Sequence, residues 1–239
     1  MITISGDTHT HTLACDHAYS TLMDNVSQAK KIGLSFICMT EHGPAMPGGA
    51  STIHFGTLVN LPRVIEGVTV IRGAELSIID YDGGVDLPQP LIEHLEWVIA
   101  SYHPPCIGVA TPAEHTRGYI KIAENPHIHA IGHCDRDWFP FEYLPALRAF
   151  KELGKIVEIN AESLRRDPTM ANGRKIASLC ADMGIPVVIS SDSHLCTKVG
   201  AVQPAIDLLE EIGFPEELIL NADHDRFMAN LKRLGKSID

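Results

Sequence analysis

The sequence predicts an α/β fold in which seven parallel strands form a closed or nearly closed barrel. Short β-rich runs alternate with helical patterns along all 239 residues, and no repeat, low-complexity segment or Ser/Gly-rich linker divides the chain. Strands and helices that alternate in this way form right-handed βαβ units around a parallel sheet. We therefore expect residues 1–239 to form one domain whose strand carboxyl ends open on one face.

Apolar runs rich in β-branched residues predict the strands, and apolar residues spaced three or four apart predict the helices. The seven predicted strands cover residues 2–5, 35–40, 68–73, 97–102, 128–132, 156–160 and 186–191. Three of the predicted helices begin near Leu22, Leu144 and Ile176, and a glycine follows each of them, at Gly33, Gly154 and Gly184. Glycine is typical of a helix end.

Charge and composition exclude several classes of protein. The chain has 19 Lys and Arg against 30 Asp and Glu, a net charge of −11, so a long nucleic acid is not an expected partner. Apolar runs are far shorter than the roughly twenty residues that a membrane span needs. The six cysteines include no CxxC pair, and the first residues lack the pattern of a secretory signal. We expect a cytoplasmic protein.

Histidines collect at the predicted strand ends. Seven of the 13 histidines lie at or just beyond such an end: His9, His11, His17, His42, His103, His133 and His194. Glu75 and Asp192 lie at the same ends, and imidazole and carboxylate groups together bind zinc, iron and manganese. Because a catalytic zinc takes about three protein ligands, nine ligands predict two or three ions. A thiolate ligand stays open, since four cysteines lie within three positions of these histidines: Cys15, Cys106, Cys134 and Cys196.

Several motifs resemble one known family. They are DTHTH at residues 7–11, DHAYSTLMDNVSQAKKIGL at 16–34, TEHGP at 40–44, GAE at 73–75, the strand-end His103 and His133, and SSDSH at 190–194. In combination they resemble the PHP family, named for polymerase and histidinol phosphatase, and within it the YcdX-like group of stand-alone phosphatase-like proteins. The resemblance implies a distorted seven-stranded (β/α)7 barrel, similar to a TIM barrel, with up to three Zn, Mn or Fe ions.

The resemblance also implies which residues share an ion. His9, His11, Glu75 and Asp192 would hold one ion, and Glu75 would bridge to a second ion held by His103 and His133. The third ion would lie between His17, His42 and His194. Asp7 and Glu41 would lie beside the ligands, with Asp7 orienting a ligand imidazole. Glu41 stands where relatives usually carry Asp.

Phosphoester hydrolysis is the reaction that such a cluster favours, because bound ions activate water and neutralise phosphoryl oxygens. We expect a phosphomonoesterase that uses a metal-activated hydroxide on a small phosphorylated metabolite. The predicted catalytic residues are Asp192, Glu75 and His194. Arginine binds phosphate through its planar fork, and the basic residues placed after strand ends are Arg136, Arg165, Arg166 and Lys198.

Other functions stay open at this point. They are a nucleotide phosphodiesterase or exonuclease, a histidinol phosphatase, C–N hydrolysis of the amidohydrolase kind, and metal binding without turnover. Amidohydrolase-like sites often use a carboxylated lysine as the bridge, whereas Glu75 would fill that position here. The resemblance also permits a homo-oligomer.

Overall fold

Seven parallel strands form a nearly closed barrel in the computed structural model, which describes residues 1–166 and 168–236. The strands are β1 (Gly6–Thr10), β2 (Phe36–Met39), β4 (Val68–Ser77), β5 (Trp97–Ser101), β6 (Ala130–Ile131), β7 (Ile156–Asn160) and β8 (Val187–Ser190). They are hydrogen-bonded in chain order from β1 to β8, and the short β3 (Val64–Ile65) pairs antiparallel with β4. The predicted fold class is confirmed.

The barrel closes between β8 and β1 through single contacts rather than a full ladder. On the carboxyl side, the His11 amide donates to the Ser193 carbonyl at 2.9 Å. Deeper in the barrel, the Asn221 side chain takes the place of missing strand pairs. Its Nδ2 donates to the carbonyls of Gly6 and Ile189 at 2.8 and 2.7 Å, and its Oδ1 accepts from the Ile189 amide at 2.9 Å. One buried carboxamide thus joins the two edge strands.

Replacement of this carboxamide should open the seam. In Asn221→Ala, the Gly6 carbonyl and the Ile189 amide lose their hydrogen bonds with Asn221, and the Ile189 carbonyl keeps only its 3.3 Å contact with Thr8 Oγ1, so we expect the free energy of unfolding to fall by about 2–3 kcal/mol. Urea denaturation of the metal-free protein measures this loss. A loss below about 0.5 kcal/mol, the size of an ordinary surface substitution, would show that the seam does not depend on Asn221.

The helices pack on the outside of the barrel and at its base. They are α1 (Leu22–Lys31), α2 (Thr52–Thr57), α3 (Gln89–His94), α4 (Pro112–Ala123), α5 (Tyr143–Glu152), α6 (Thr169–Met183), α7 (Gln203–Glu211) and α8 (His224–Arg233). Thr21 and Asp24 form a reciprocal cap at the start of α1, and Gly184 takes the left-handed conformation after α6. None of the helices that the structure describes is long and apolar enough to cross a membrane.

Helix α8 closes the amino-terminal end of the barrel. Phe227 and Leu231 are fully buried against side chains that point inward from the strands, among them Phe36 and Trp97. The Phe227 ring stacks on Phe36 with centroids 4.6 Å apart and meets the edge of Trp97 at 5.2 Å. The base of the barrel is therefore apolar and filled, which leaves the carboxyl end as the open face.

The first strand differs from its prediction. The alternating apolar residues at 2–5 predict a strand there, whereas β1 is Gly6–Thr10, with sequence GDTHT. All five residues are buried although most are polar, because the hydrogen-bonding ladder and the site satisfy their polar groups. Strand β4 also runs on to Ser77, so Glu75 lies within a strand rather than after it.

Candidate metal centre

The predicted ligands converge at the carboxyl ends of the strands. His9 and Glu75 lie within β1 and β4, and the others follow strand ends: His11 and His17 after β1, His42 after β2, His103 after β5, His133 after β6, and Asp192 and His194 after β8. Residues separated by more than 180 positions in the chain thus share one site. This convergence follows from the parallel arrangement of the strands.

Glu75 lies at the centre of the site and is fully buried. Its Oε1 is 3.2 Å from His103 Nε2 and 2.8 Å from His133 Nε2. Its Oε2 is 3.2 Å from His9 Nε2 and 2.8 Å from His42 Nδ1. The two oxygens of one carboxylate therefore face two separate sets of imidazoles, the arrangement that a bridging carboxylate requires.

Asp192 presents one oxygen to the same centre. Its Oδ1 is 3.5 Å from His9 Nε2 and 3.3 Å from His11 Nε2. Its Oδ2 accepts from Arg136 Nη2 at 2.8 Å and from Asn160 Nδ2 at 3.2 Å. Asp192 has a left-handed backbone with φ of 52°, an uncommon conformation that aims its carboxylate inward.

The outer part of the site is a set of stacked imidazoles. The ring centroid of His17 is 5.0 Å from that of His42 and 4.7 Å from that of His194. The His194 ring also stacks on His11 at 4.2 Å. His194 Nδ1 donates to the Asp192 carbonyl at 3.0 Å, which leaves its Nε2 as a potential ligand atom.

The donor atoms at this centre suit divalent cations. Although several of these atoms lie close together, five buried atoms of the predicted ligands make no hydrogen bond of good geometry among the described residues: His11 Nδ1, His42 Nδ1, Glu75 Oε2, His103 Nε2 and Asp192 Oδ1. Buried polar atoms are normally paired, so several unpaired ones in a single cluster indicate a missing group. In addition, the Nε2 atoms of His9 and His11 face each other at 3.0 Å. Nitrogen and carboxylate oxygen donors in this arrangement fit zinc, manganese or iron.

The protonation states of two carboxylates and one imidazole suit metal binding, whereas Glu158, Asp192 and Glu75 raise the pKa of His9 well above its usual value although burial alone would lower it. Burial alone would raise the pKa of Glu75, but the neighbouring His9, His42 and His103 hold it well below its usual value. The pKa of Asp192 is likewise well below its usual value despite burial, because of His9, His11 and Arg136. Burial lowers the pKa of His103 to about 4. Ionised carboxylates and a neutral imidazole are the forms that bind metal.

Four groups of side chains bring their ligand atoms close enough to hold an ion. They are His9, His11 and Asp192; His42, Glu75 and His103; His11, His42 and His194; and His11, Cys15 and Glu41. The first three overlap the sets that the family resemblance implies. His17 and His133 belong to none of these four groups in the part of the chain that the structure describes. The fourth group contains Cys15, whose Sγ donates to Glu41 Oε2 at 3.1 Å and whose thiol pKa burial raises.

The residues that hold the imidazoles differ in part from the prediction. Asp7 makes no contact with an imidazole among the described residues: its carboxylate accepts from the Gly200 amide at 2.8 Å, from the amide and hydroxyl of Ser191, and from the His9 backbone amide at 3.4 Å, and so links β1 to the loop that carries Asp192. The His9 ring is held instead by Glu158, whose Oε1 accepts from His9 Nδ1 at 2.6 Å. Glu41 lies 3.9 Å from His11 Nδ1 and accepts from Thr12.

Sequence reasoning missed Glu158 and Ser77. Glu158 is the one charged residue of the buried run IVEIN in β7, and a carboxylate in such a strand needs a partner. That signal is present in the sequence. Ser77 Oγ lies 3.1 Å from His103 Nδ1, so the Nε2 of that ring faces Glu75. A serine at this position does not by itself indicate a contact with a candidate ligand.

The basic residues occupy different positions around the site. Arg136 contacts Asp192, and its guanidinium carbon lies 5.7 Å from the centroid of the Trp138 ring. Arg165 pairs instead with Glu162 at 3.0 Å and donates to the Ala201 carbonyl. Arg166 and Lys198 are exposed. The structure therefore brings only Arg136 into contact with a predicted ligand.

Two adjoining cavities lie above the cluster. The larger, of about 810 Å³, is lined by ligand imidazoles and by apolar side chains that include Met46, Pro104, Pro105, Val109 and Trp138. The smaller, of about 370 Å³, contains Arg166, Asp137 and Ser163. Arg136, Trp138 and Glu162 line both cavities. The combined space suits a small organic molecule.

Comparison with known proteins places the chain in a family. The PHP domain family model matches residues 7–162. A probable phosphatase of Acetivibrio thermocellus is 40% identical over 233 residues, which covers 97% of each chain. A probable phosphatase of Caldicellulosiruptor saccharolyticus is 41% identical over 234 residues and 98% of each chain.

A solved structure supports the fold. Histidinol phosphate phosphatase from Lactococcus lactis, solved with zinc, L-histidinol and phosphate, superposes with a TM-score of 0.64 at 18% identity, covering 88% of this chain and 94% of that one. The likeness at this identity concerns the barrel. The family match and the full-length relatives together confirm the resemblance that the motifs indicate: this chain belongs to the PHP domain family.

Proposed function

We propose that this protein is a metal-dependent phosphoesterase that hydrolyses monoesters of small phosphorylated metabolites. The observation that carries the proposal is the position of Glu75, whose two oxygens face two sets of imidazoles within 2.8–3.2 Å. A carboxylate of this kind brings two ions close together, as phosphoryl transfer at paired metals requires. Both relatives compared above are named probable phosphatases.

The nine convergent residues would hold two or three Zn, Mn or Fe ions. His9, His11 and Asp192 would form one site, His103 and His133 a second that shares Glu75, and His17, His42 and His194 a third. Ions bound there would lower the pKa of a bound water and neutralise charge on phosphoryl oxygens. The deep burial of Glu75 and His9 strengthens these electrostatic interactions by excluding water.

Side chains at the rim would bind and orient the ester. Arg136 reaches from Asp192 to both cavities and can donate to a phosphoryl oxygen with the nitrogen atoms that Asp192 leaves free. His194 is the least buried of the predicted ligands outside His17, with 28% of its side chain exposed, so an ion held by its Nε2 would lie at the open side of the site, where the ester enters. The two cavities together leave room for a leaving group considerably larger than the phosphate itself.

Phosphate release from a panel of esters tests this proposal. Protein reconstituted separately with Zn, Mn and Fe is incubated with phosphomonoesters, phosphodiesters and histidinol phosphate. We expect metal-dependent release from monoesters. Release confined to diesters would favour a nucleotide phosphodiesterase, and no release by a fully metal-loaded protein would contradict the proposal and favour C–N hydrolysis or metal binding without turnover.

Arg166→Gln should weaken substrate binding more than catalysis. Arg166 lines the smaller cavity, away from the ligands, so we expect KM to rise about tenfold, the value of one charge-assisted hydrogen bond, with kcat largely unchanged. Lys198→Gln removes the same charge from a residue that lines neither cavity among those the structure describes, and serves as the control. Equal kinetic constants in both variants would remove Arg166 from the binding site.

A further inference from the structure

Glu158 connects three strands of the barrel and the segment that follows a fourth through one buried carboxylate. Its Oε1 accepts from His9 Nδ1 at 2.6 Å and from Ser190 Oγ at 2.7 Å, which join β7 to β1 and β8. Its Oε2 accepts from the His133 amide at 2.7 Å and lies 3.3 Å from Asn160 Nδ2. The residue is only 3% exposed. Each of the two carboxylate oxygens therefore has two polar partners within the protein.

The contacts of Glu158 lead to both halves of the metal centre. His9 belongs to the set that faces Glu75 Oε2, and His133 faces Glu75 Oε1. The two oxygens of Glu158 thus support, from behind, histidines on opposite sides of the bridging carboxylate. Contacts with one candidate ligand from each set distinguish Glu158 from a residue that only stabilises the packing of β7.

The contact with His9 fixes the ring and its tautomer. Because Nδ1 donates to Glu158 Oε1, Nε2 is directed toward Glu75 and Asp192, at 3.2 and 3.5 Å. An imidazole that donates its other nitrogen to a carboxylate is a stronger ligand, since the carboxylate increases its basicity.

The contact with His133 acts through the backbone. His133 has φ of 23°, a conformation that is unfavourable for a non-glycine residue and persists only where the surroundings enforce it. The hydrogen bond from its amide to Glu158 Oε2 is one such constraint. In this conformation the imidazole Nε2 lies 2.8 Å from Glu75 Oε1.

From these contacts we propose that Glu158 is a positioning residue that sets the geometry of two adjacent ion sites at once, by orienting the His9 imidazole and holding the His133 backbone. This inference rests on the proposed metal-dependent function. Glu158 would thus orient a ligand imidazole, which is the role that the sequence predicts for Asp7. Loss of the Glu158 carboxylate should therefore weaken both sites together, whereas loss of a single ligand should weaken mainly its own site.

The variant Glu158→Gln tests the proposal, because it keeps the shape and removes the charge and one acceptor oxygen. Metal-free protein is titrated with Zn²⁺ and, separately, Mn²⁺ against a chromophoric chelator, and melting is followed without metal. We expect the affinity of at least two ions to fall 10–100-fold, the usual effect of removing such a partner. Asn221→Ala is the control, because it destabilises the barrel at the β1–β8 seam without touching a ligand.

Three results would overturn the inference. Wild-type affinity in Glu158→Gln would show that the carboxylate does not position the ligands. Weaker binding of one ion only would refute the joint effect, and an equal loss of affinity in Asn221→Ala would show that Glu158 only stabilises the fold.

Should Glu158→Gln not fold, Ser190→Ala provides a second test, because it removes one donor to Oε1. We expect this variant to bind Zn²⁺ severalfold more weakly, and unchanged binding would contradict the proposal. A wild-type protein that binds no ion would refute the proposed function itself.

Discussion

Glu75→Gln should abolish metal-dependent phosphate release while leaving the barrel folded. Glutamine has the same shape, but its amide nitrogen cannot bind a cation, so one of the two sets of imidazoles loses its shared oxygen. We expect kcat/KM to fall more than 100-fold, beyond the usual effect of losing a residue that only supports a ligand. Phosphate release and bound metal, measured on the same samples, give the result.

The stability of this variant serves as its control. Glu75 is fully buried among imidazoles that hold its pKa well below its usual value, so its ionised form stabilises the folded metal-free protein and the neutral amide should lower the melting temperature. Both proteins are therefore assayed below the melting temperature of the variant, where a cooperative melting transition shows that its barrel is folded. Undiminished turnover by Glu75→Gln would contradict the bridging role.

Phe227→Ala should cause the largest loss of stability of the substitutions considered. Phe227 is fully buried at the base of the barrel against Phe36 and Trp97, and truncation of a buried phenylalanine costs about 3–5 kcal/mol through lost burial and the cavity that remains. Chemical denaturation measures the free energy of unfolding.

The same helix offers a matched control. Lys232 is exposed on α8, and Lys232→Ala should change stability by no more than about 0.5 kcal/mol. Because Phe227 lies at the end of the barrel opposite the metal centre, the folded fraction of Phe227→Ala should keep its kcat. A loss of stability below about 1 kcal/mol would mean that α8 does not close the barrel as described.

The main features of the fold follow from patterns that are local in the sequence. Six of the seven strands lie where apolar runs predict them, because buried parallel strands are continuous apolar segments. The first strand does not lie where an apolar run predicts it, because GDTHT at 6–10 is polar and is buried through its contacts with the site and with β8. Propensity cannot anticipate a strand whose burial depends on distant partners.

The candidate site also combines features that could be predicted from the sequence with features that could not. The convergence of its candidate ligands could be predicted, because histidines and carboxylates at successive strand ends must converge in a parallel barrel. The supporting residues could not be assigned by position alone: Asp7 and Glu158 are both buried carboxylates, and only the three-dimensional contacts show that Glu158, not Asp7, holds an imidazole. Likewise the ion pair of Arg165 with Glu162 depends on the loop that follows β7 and could not be predicted from the positions of the two residues.

Metal content and activity, measured on one preparation, show whether phosphate release depends on bound ions. The purified protein is divided, one part is stripped by a chelator, and zinc, manganese and iron are quantified in each part alongside phosphate release from a monoester. We expect two or three bound ions per chain, loss of phosphate release on stripping, and its return when ions are restored. Phosphate release at an undiminished rate by stripped, metal-free protein would contradict a metal-dependent function.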